Sequence, residues 1–528
     1  MNALRILILS LLVLEVGVLQ AQTKASGVVF HDLNNNSIRE PKEPGIANVA
    51  VSNGSDVVLT DKNGRYELPV DNEAIIFVIR PSGYNYPVNE LNLPQFWYNH
   101  KPLGSPPLEF KGLPPTGPLP KSVDFGLITG NKSDNFSIIV FADPQVSNEA
   151  EISYYEKAFI GELKGKQMHS FGITLGDLVA RRLDLLEPLN RATAQIGIPW
   201  FHVVGNHDIN YDATTPQHND ETFERNYGPA TYAFNHGKVH FIVLNNVIFP
   251  NPYPGHYYVG GFSEKQLRFV ENSLKHVPEH YLVVLFMHIP LYDDVKFGET
   301  FVDQHREQLF ELLHNRPYTF SMSGHAHALH HHFFDTTEGW NGKNPHHHYT
   351  TGAVSGDWWS GNPGPDGIPE SIMWDGTPKG YSIVRFSGNS YTIDYHVAGK
   401  AEDFKMRLYG PKVVPQNRHF RGELFVNFFQ GSQKDTVEYR IGTGNWQPMR
   451  YTVEPDPYMC AIRYRWDHAE VLLPGVRPSN PIPSTHLWKT RVPTNLEIGK
   501  SFIEVRVRDI FGRSFTDNFY FNVVRAGE

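Results

Sequence analysis

The sequence predicts an α/β central domain with an all-β domain on either side, and three observations predict it. From about residue 135 to 397, short apolar runs alternate with helical segments, and one run after another ends in a polar residue. Before that stretch and again after about residue 399, only short β runs separated by Gly, Pro and Asn-Gly turns are found. The chain has 528 residues, which exceeds one ordinary hydrophobic core. The expected division is 1–21 export signal, 22–94 N-terminal β-sandwich, 95–134 Pro/Gly-rich linker, 135–398 central domain and 399–528 C-terminal all-β domain.

At the N terminus, Arg5 precedes an apolar run over residues 6–14 that is too short to span a bilayer, and Ala21 offers a cleavage position. This predicts an exported protein, periplasmic, cell-surface or secreted. No later apolar run is long enough for a membrane span. The net charge of −9 is mild and argues against a nucleic-acid or anionic-membrane binder. Cys460 is the single cysteine, so no intrachain disulfide can form.

In the N-terminal domain, strands are expected at 27–30, 45–51, 61–68 and 74–79. Between the first two lies an acidic loop. Asp32, Asn34, Asn36, Ile38 through its carbonyl, Glu40 and Glu43 fall at the ligand positions of a twelve-residue calcium loop, although Ser37 replaces the usual Gly. No helical pattern flanks it, so it is not an EF-hand pair. The stretch resembles the β-sandwich modules of bacterial surface proteins, which carry a similar Asp-x-Asn-x-Asn loop. An Asn-rich turn holding no ion is the other reading. Residues 95–134 are read as an extended linker or surface wrap, with Phe96-Trp97-Tyr98 packing on a neighbour.

The central domain opens with an apolar strand at 136–141 ending in Ala142-Asp143-Pro144-Gln145, then a helix over about 149–163. The strand 171–175 ends in Gly176-Asp177. A helix around 183–195 leads to the strand 200–204, which ends in Gly205-Asn206-His207-Asp208. A strand at 239–244 precedes a helix over 263–276, opened by a Ser263 cap with Gln266 three residues on. The strand 281–287 ends in His288. A helix near 304–314 precedes the strand 318–323, which ends in Gly324-His325-Ala326-His327. After about His330 an antiparallel pattern is expected, and beyond residue 399 only short β runs.

Ligands of open α/β sheets sit at the carboxyl ends of the strands. Asp143, Gln145, Asp177, Asn206, His207, His288, His325 and His327 all stand there, on five separate strand ends. Carboxylate and amide oxygens suit hard cations, imidazole suits iron, zinc or manganese, and a carboxylate such as Asp177 can bridge two ions. His330-His331-His332 and His346-His347-His348 are expected to be mostly exposed or at the rim, because alternate strand residues face opposite sides. Arg181 and Arg182, just beyond Gly176-Asp177, have two readings, a contact to phosphate or a solvated helix start. The aromatic loop 352–374, with Asp357, Trp358 and Trp359, is expected to shape a substrate pocket.

These motifs resemble the calcineurin-like metallophosphoesterases, whose pattern is Asp-x-His, Gly-Asp, Gly-Asn-His-Asp/Glu, a lone His after a strand, and Gly-His-x-His. The resemblance covers about residues 135–397 and implies a layered β-sandwich flanked by helices. The flanking modules look like those on exported bacterial members. The resemblance further implies that Asp143, Gln145 and His327 bind a first metal, that Asp177 bridges, and that Asn206, His288 and His325 bind a second. His207 would face the leaving group, oriented by Asp208. Gln145 departs from the common His of the family, and Leu178-Val179-Ala180 lacks the tyrosine that purple acid phosphatases carry after Gly-Asp.

The implied cofactors are two divalent or mixed-valence ions of Mn, Fe or Zn, with calcium in the N-terminal domain if its loop binds it. The implied chemistry is attack on a phosphate mono- or diester by a metal-bridging hydroxide with His207 as general acid. The substrate would be a small phosphate ester or an envelope component. The alternative is a non-catalytic surface binding protein that uses its β domains and retains a degenerate phosphoesterase scaffold.

Overall fold

The computed structural model describes residues 23–166, 168–253, 257–292 and 301–525; the expected export signal lies outside the described residues. Two sheets form the centre of the molecule. One has five strands in the order Trp200–Val203, Phe171–Leu175, Asn135–Phe141, Gly380–Ser387, Ser390–Val397. The other has six, in the order Tyr232–His236, Val239–Val243, Leu282–Phe286, Thr319–Ser323, His346–Thr350, His330–Phe334. Their inner faces meet through aromatic rings. Phe171 lies 5.4 Å from Phe241, and Phe241 lies 5.6 Å from Phe386, both at near-perpendicular tilt.

Helices cover the outer faces. The segment Glu149–Leu163 packs Tyr155 and Phe159 on Phe141, at 5.9 and 5.6 Å. Helices Glu264–Leu274 and Asp303–Leu313 cover the six-stranded sheet, the latter through Phe310 on Phe334 at 5.1 Å. The expected cap is present: the Ser263 hydroxyl accepts from the Gln266 amide, and the Gln266 side chain closes the box. Asn135–Phe141, Phe171–Leu175 and Trp200–Val203 run parallel to one another, as do Val239–Val243, Leu282–Phe286 and Thr319–Ser323. Parallel pairing within each sheet carries the polar strand ends to one edge.

The structure departs from the sequence expectations at four places. Residues 95–134 are more than a linker. Trp97–His100 and Phe125–Thr129 are strands of the two N-terminal sheets, paired with Ala74–Ile79 and Lys24–His31. The intervening segment binds the central domain, with Lys101 and Ser105 both bonded to the buried Glu221 carboxylate. The pattern after His330 is mixed rather than antiparallel, because His346–Thr350 runs parallel to Thr319–Ser323. The C-terminal domain contains a helix, Pro457–Asp467, capped by Asp456 with Pro457 in its first turn.

The fourth departure is that the second histidine run is buried, not at the rim. A hydrogen-bonded ladder accounts for this. His346 Nδ1 meets Thr319 Oγ1 at 2.8 Å, and Ser321 Oγ joins His346 Nε2 at 2.8 Å to His348 Nδ1 at 2.7 Å. His348 Nε2 reaches Ser323 Oγ at 2.9 Å. On the opposite face His347 joins His331 and Tyr391, at 2.8 and 2.7 Å. Buried imidazoles are tolerated when their nitrogens are paired in this way.

Candidate metal centre

At the common strand edge the backbone is bent. Asp143, Gln145, Asp177, His325 and His327 all have positive φ, between 40° and 72°. Left-handed backbone at non-glycine residues is uncommon and gathers at functional sites. Two motif glycines exist for close approach. A Cβ on Gly205 would lie 2.0 Å from the Asp177 amide nitrogen and 2.2 Å from its Oδ1, and one on Gly324 would lie 2.6 Å from Asp143 Oδ2.

These turns bring the predicted strand-end residues together. His288 Nε2 lies 2.9 Å from Asn206 Oδ1, 3.2 Å from Asp177 Oδ1 and 3.2 Å from His325 Nδ1. One ligand atom from each of Asp177, His288 and His325 falls within 4.8 Å of the others. Donors arranged around an ion at ~2.0–2.2 Å sit about 3 Å apart, so this spacing fits a cation. The Leu175 carbonyl accepts from His288 Nδ1 at 2.7 Å, which directs Nε2 at the cluster.

Beside it lies a second group. His327 Nδ1 donates to the Gly356 carbonyl at 2.5 Å, and its Nε2 is 3.9 Å from Asp143 Oδ1. Gln145 donates from Nε2 to Asp177 Oδ2 at 2.7 Å, and its Oε1 is buried with no hydrogen-bond partner among the described residues. A buried amide oxygen left unused, on a side chain whose Nε2 already bonds Asp177, fits a metal ligand. Asp143 also accepts from the His325 amide, at 3.0 and 3.1 Å.

The electrostatics point the same way. Burial raises the Asp143 carboxyl well above the carboxylate range. Burial would raise Asp177 too, but His288 and His207 outweigh it and hold Asp177 below that range. Burial would lower His288, yet Asp177 outweighs it and pushes the imidazole up to about 9. Buried carboxylates at this edge demand positive charge, and His288 supplies it in the protein alone.

His207 sits at the mouth. Its backbone amide donates to Asp177 Oδ1 at 2.8 Å, and its Nε2 lies 4.0 Å from Asp177 Oδ2. Asp208 does not orient the ring, contrary to expectation. Its buried carboxylate accepts from the Gly205 and Val179 amides, at 2.9 and 3.2 Å, and so fixes the turn; His207 Nδ1 has no hydrogen-bond partner among the described residues. Arg181 is near, its guanidinium 4.3 Å above the Tyr211 ring, and Tyr211 donates to the Asn206 carbonyl at 2.7 Å.

Asp357 is not a pocket residue. It is buried, and its oxygens accept from Trp374 Nε1, Ser360 Oγ and the Ser479 amide. Trp359 is likewise buried and donates to the Pro144 carbonyl at 3.0 Å. Trp358 alone of the three is open to solvent. Sequence reasoning missed Asn246, whose side-chain oxygen accepts from the His288 and Ile289 amides, at 3.2 and 3.1 Å. Its signal was available, since it also follows an apolar strand.

Two other polar groups lie apart. Asp394, His396 and Glu402 could hold an ion by spacing, but Lys405 Nζ already lies 2.8 Å from Asp394 Oδ1. The acidic loop of the N-terminal domain closes on its own amides: Asp32 accepts from Asn36 and Ser37, and Glu43 from Leu33 and Glu40.

Three family models match the chain: N terminal of calcineurin-like phosphoesterase over residues 34–112, calcineurin-like phosphoesterase over 136–329, and C terminal of calcineurin-like phosphoesterase over 348–515. No curated protein matches. Among solved structures, the chain is similar to a dimetal phosphatase from Danio rerio, at 15% identity over 49% of this chain and 95% of that one, with a TM-score of 0.33. It is also similar to a purple acid phosphatase from seeds of yellow lupin (Lupinus luteus), at 13% identity over 67% of this chain and 69% of that one, with a TM-score of 0.38. With the central model on the strands that build the metal centre and the two terminal models on either side of it, the chain belongs to the calcineurin-like phosphoesterases and is a metal-dependent hydrolase of phosphate esters.

Proposed function

We propose that the protein is an exported phosphoesterase that hydrolyses phosphate mono- or diesters of small molecules or envelope components. The observation that carries the reading is the convergence of Asp177, His288, His325 and Asn206 beside Asp143, His327 and Gln145, at the mouth of which stands His207. Asp143, Gln145, His327 and a shared Asp177 would hold one ion; Asn206, His288, His325 and Asp177 would hold the other. Manganese, iron or zinc ions bound there would acidify a water and offset charge on the phosphoryl oxygens.

The chain's own residues supply the remainder. Asp177 sets the spacing of the two ligand groups, since Gln145 bonds one of its oxygens and His207 the other. His207 is the group placed to give a proton to the departing oxygen, with its side chain 24% exposed and the Asp177 carboxylate beside it. Arg181, held over Tyr211, offers a cation to a phosphoryl oxygen entering past His207. Export is supported by Arg5 and the apolar run over residues 6–14.

The test is hydrolysis of a chromogenic phosphomonoester and a phosphodiester by metal-reconstituted protein, for wild type, His207→Ala and Asp177→Asn. Turnover by wild type and its loss in both variants support the reading, and the better substrate sets the ester class. Absence of turnover on both esters with any of the three metals would favour a binding protein. Cell fractionation with N-terminal sequencing of the mature chain tests export.

A further inference from the structure

We propose that Trp358 is the floor of a substrate subsite, selective for phosphate esters that carry a planar aromatic or heteroaromatic ring. The inference deepens the phosphoesterase reading and rests on its assignment of the site.

The segment carrying Trp358 is fixed to the metal centre by its backbone. The Val354 and Ser355 amides donate to the carbonyls of Ala142 and Asp143, at 2.9 and 3.3 Å. The Gly356 carbonyl accepts from His327, and the Trp359 indole N–H bonds the Pro144 carbonyl. Asp357 ties the same segment to the C-terminal domain through the Ser479 amide at 2.6 Å. Trp358 and Trp359 then adopt left-handed backbone in succession, at φ 48° and 56°. Bulky aromatic residues resist that conformation, and it persists where the surroundings impose it.

The consequence differs between the two. Trp359 is 3% exposed and belongs to the core, whereas Trp358 is 46% exposed. The Trp358 ring stands 4.9 Å from the His327 ring and 5.2 Å from Trp374, which backs it edge-on. An indole half open to solvent, packed beside a ligand imidazole and held on an anchored segment, is placed to meet a group entering the centre. Across the centre, the Tyr258 ring stands edge-on to His325 at 6.0 Å. The Asp357 oxygens are all turned to Trp374, Ser360 and Ser479, so Asp357 does not present its charge beside Trp358. A flat ring attached to a phosphoryl group near His327 would stack there.

The test is calorimetric binding of two non-hydrolysable probes, phenylphosphonate and methylphosphonate, to the metal-loaded full-length chain. Wild type is expected to prefer the phenyl probe by about tenfold, a typical stacking contribution. Trp358→Ala is expected to abolish that preference while methylphosphonate affinity moves less than about twofold, and Trp358→Phe to retain most of it. An equal preference in wild type and Trp358→Ala, or none in wild type, overturns the proposal. Because binding is the readout, a phenyl preference without turnover of any ester would sink the hydrolase reading and leave the subsite standing.

Discussion

Gly205→Ala tests how the centre is assembled. The added methyl would lie 2.0 Å from the Asp177 backbone nitrogen and 2.2 Å from its Oδ1. Ordinary contact needs ~3.4 Å, so the two turns must separate by roughly 1.4 Å at a position where both are buried. Asp208 blocks an easy escape, because its carboxylate holds both the Gly205 and Val179 amides. Asp177 therefore moves away from His288, which it now meets at 3.2 Å. A misplacement of ~1 Å at a reacting centre typically costs about a hundredfold in rate, and overpacking a site of this kind costs ~1–3 kcal/mol in stability. The assay pairs metal content with kcat on a chromogenic phosphomonoester, with Asp177→Asn as the benchmark and Tm as the control for folding. A Gly205→Ala protein that retains both its metal and its wild-type kcat would refute the assignment of Asp177 as the shared ligand.

Other expectations follow from the same geometry. His207→Ala should lower kcat on an alkyl phosphate by ~10²–10⁴-fold and much less on an aryl ester, whose good leaving group needs little proton transfer; equal losses on both would contradict the general-acid role. Metal uptake near pH 8 should release protons, because Asp177 keeps His288 protonated up to about 9 and burial holds Asp143 well above the carboxylate range, and affinity should rise with pH; calorimetry in buffers of different ionisation enthalpy measures it, and uptake without proton release would contradict it. Burial pushes His202, His240, His331 and His346 down to about 3, and His347 and His348 well below the ordinary range. The unfolded chain takes up these protons near 6.5 and the fold does not. Their stabilisation is thus complete above pH 6.5 and is lost as pH falls toward 3, by up to ~1.4 kcal/mol per pH unit for each; a Tm flat between pH 6.5 and 4.5 would contradict it. Asp208→Asn should cost about 1–3 kcal/mol in thermal stability by breaking a buried acceptor, and an unchanged Tm would show that the turn does not depend on it.

The central strands and their polar ends were legible because a buried parallel strand must be apolar along its length and can change only where it leaves the sheet. That rule located Asp143, Asp177, His288 and the Gly-His-x-His turn without any knowledge of their contacts. The same rule applied to Asn246 would have found it, since it follows Val239–Val243 in the same manner. What misled was local composition. Three consecutive histidines at 346–348 read as polar and exposed, but Thr319, Ser321 and Ser323, distant in sequence, pair them inside the sheet. The Pro-rich stretch concealed Trp97–His100 and Phe125–Thr129, strands of four and five residues that leave little periodicity to detect. Asp208 follows His207 in the chain, and adjacency suggested a partnership, but the turn sends its carboxylate to backbone amides instead. The exposed helix Pro457–Asp467 buries only Met459 among its described residues, so it carries no apolar stripe.

The most direct test of the central claim is elemental analysis of the purified full-length chain after reconstitution with manganese, iron or zinc, read together with phosphate-ester turnover on the same sample. About two ions per chain with turnover, both lost in His288→Ala and Asp177→Asn, is the predicted result for five strand ends that build one dinuclear site. Fewer than about one ion per chain with all three metals, or turnover that survives loss of the metal, would contradict it.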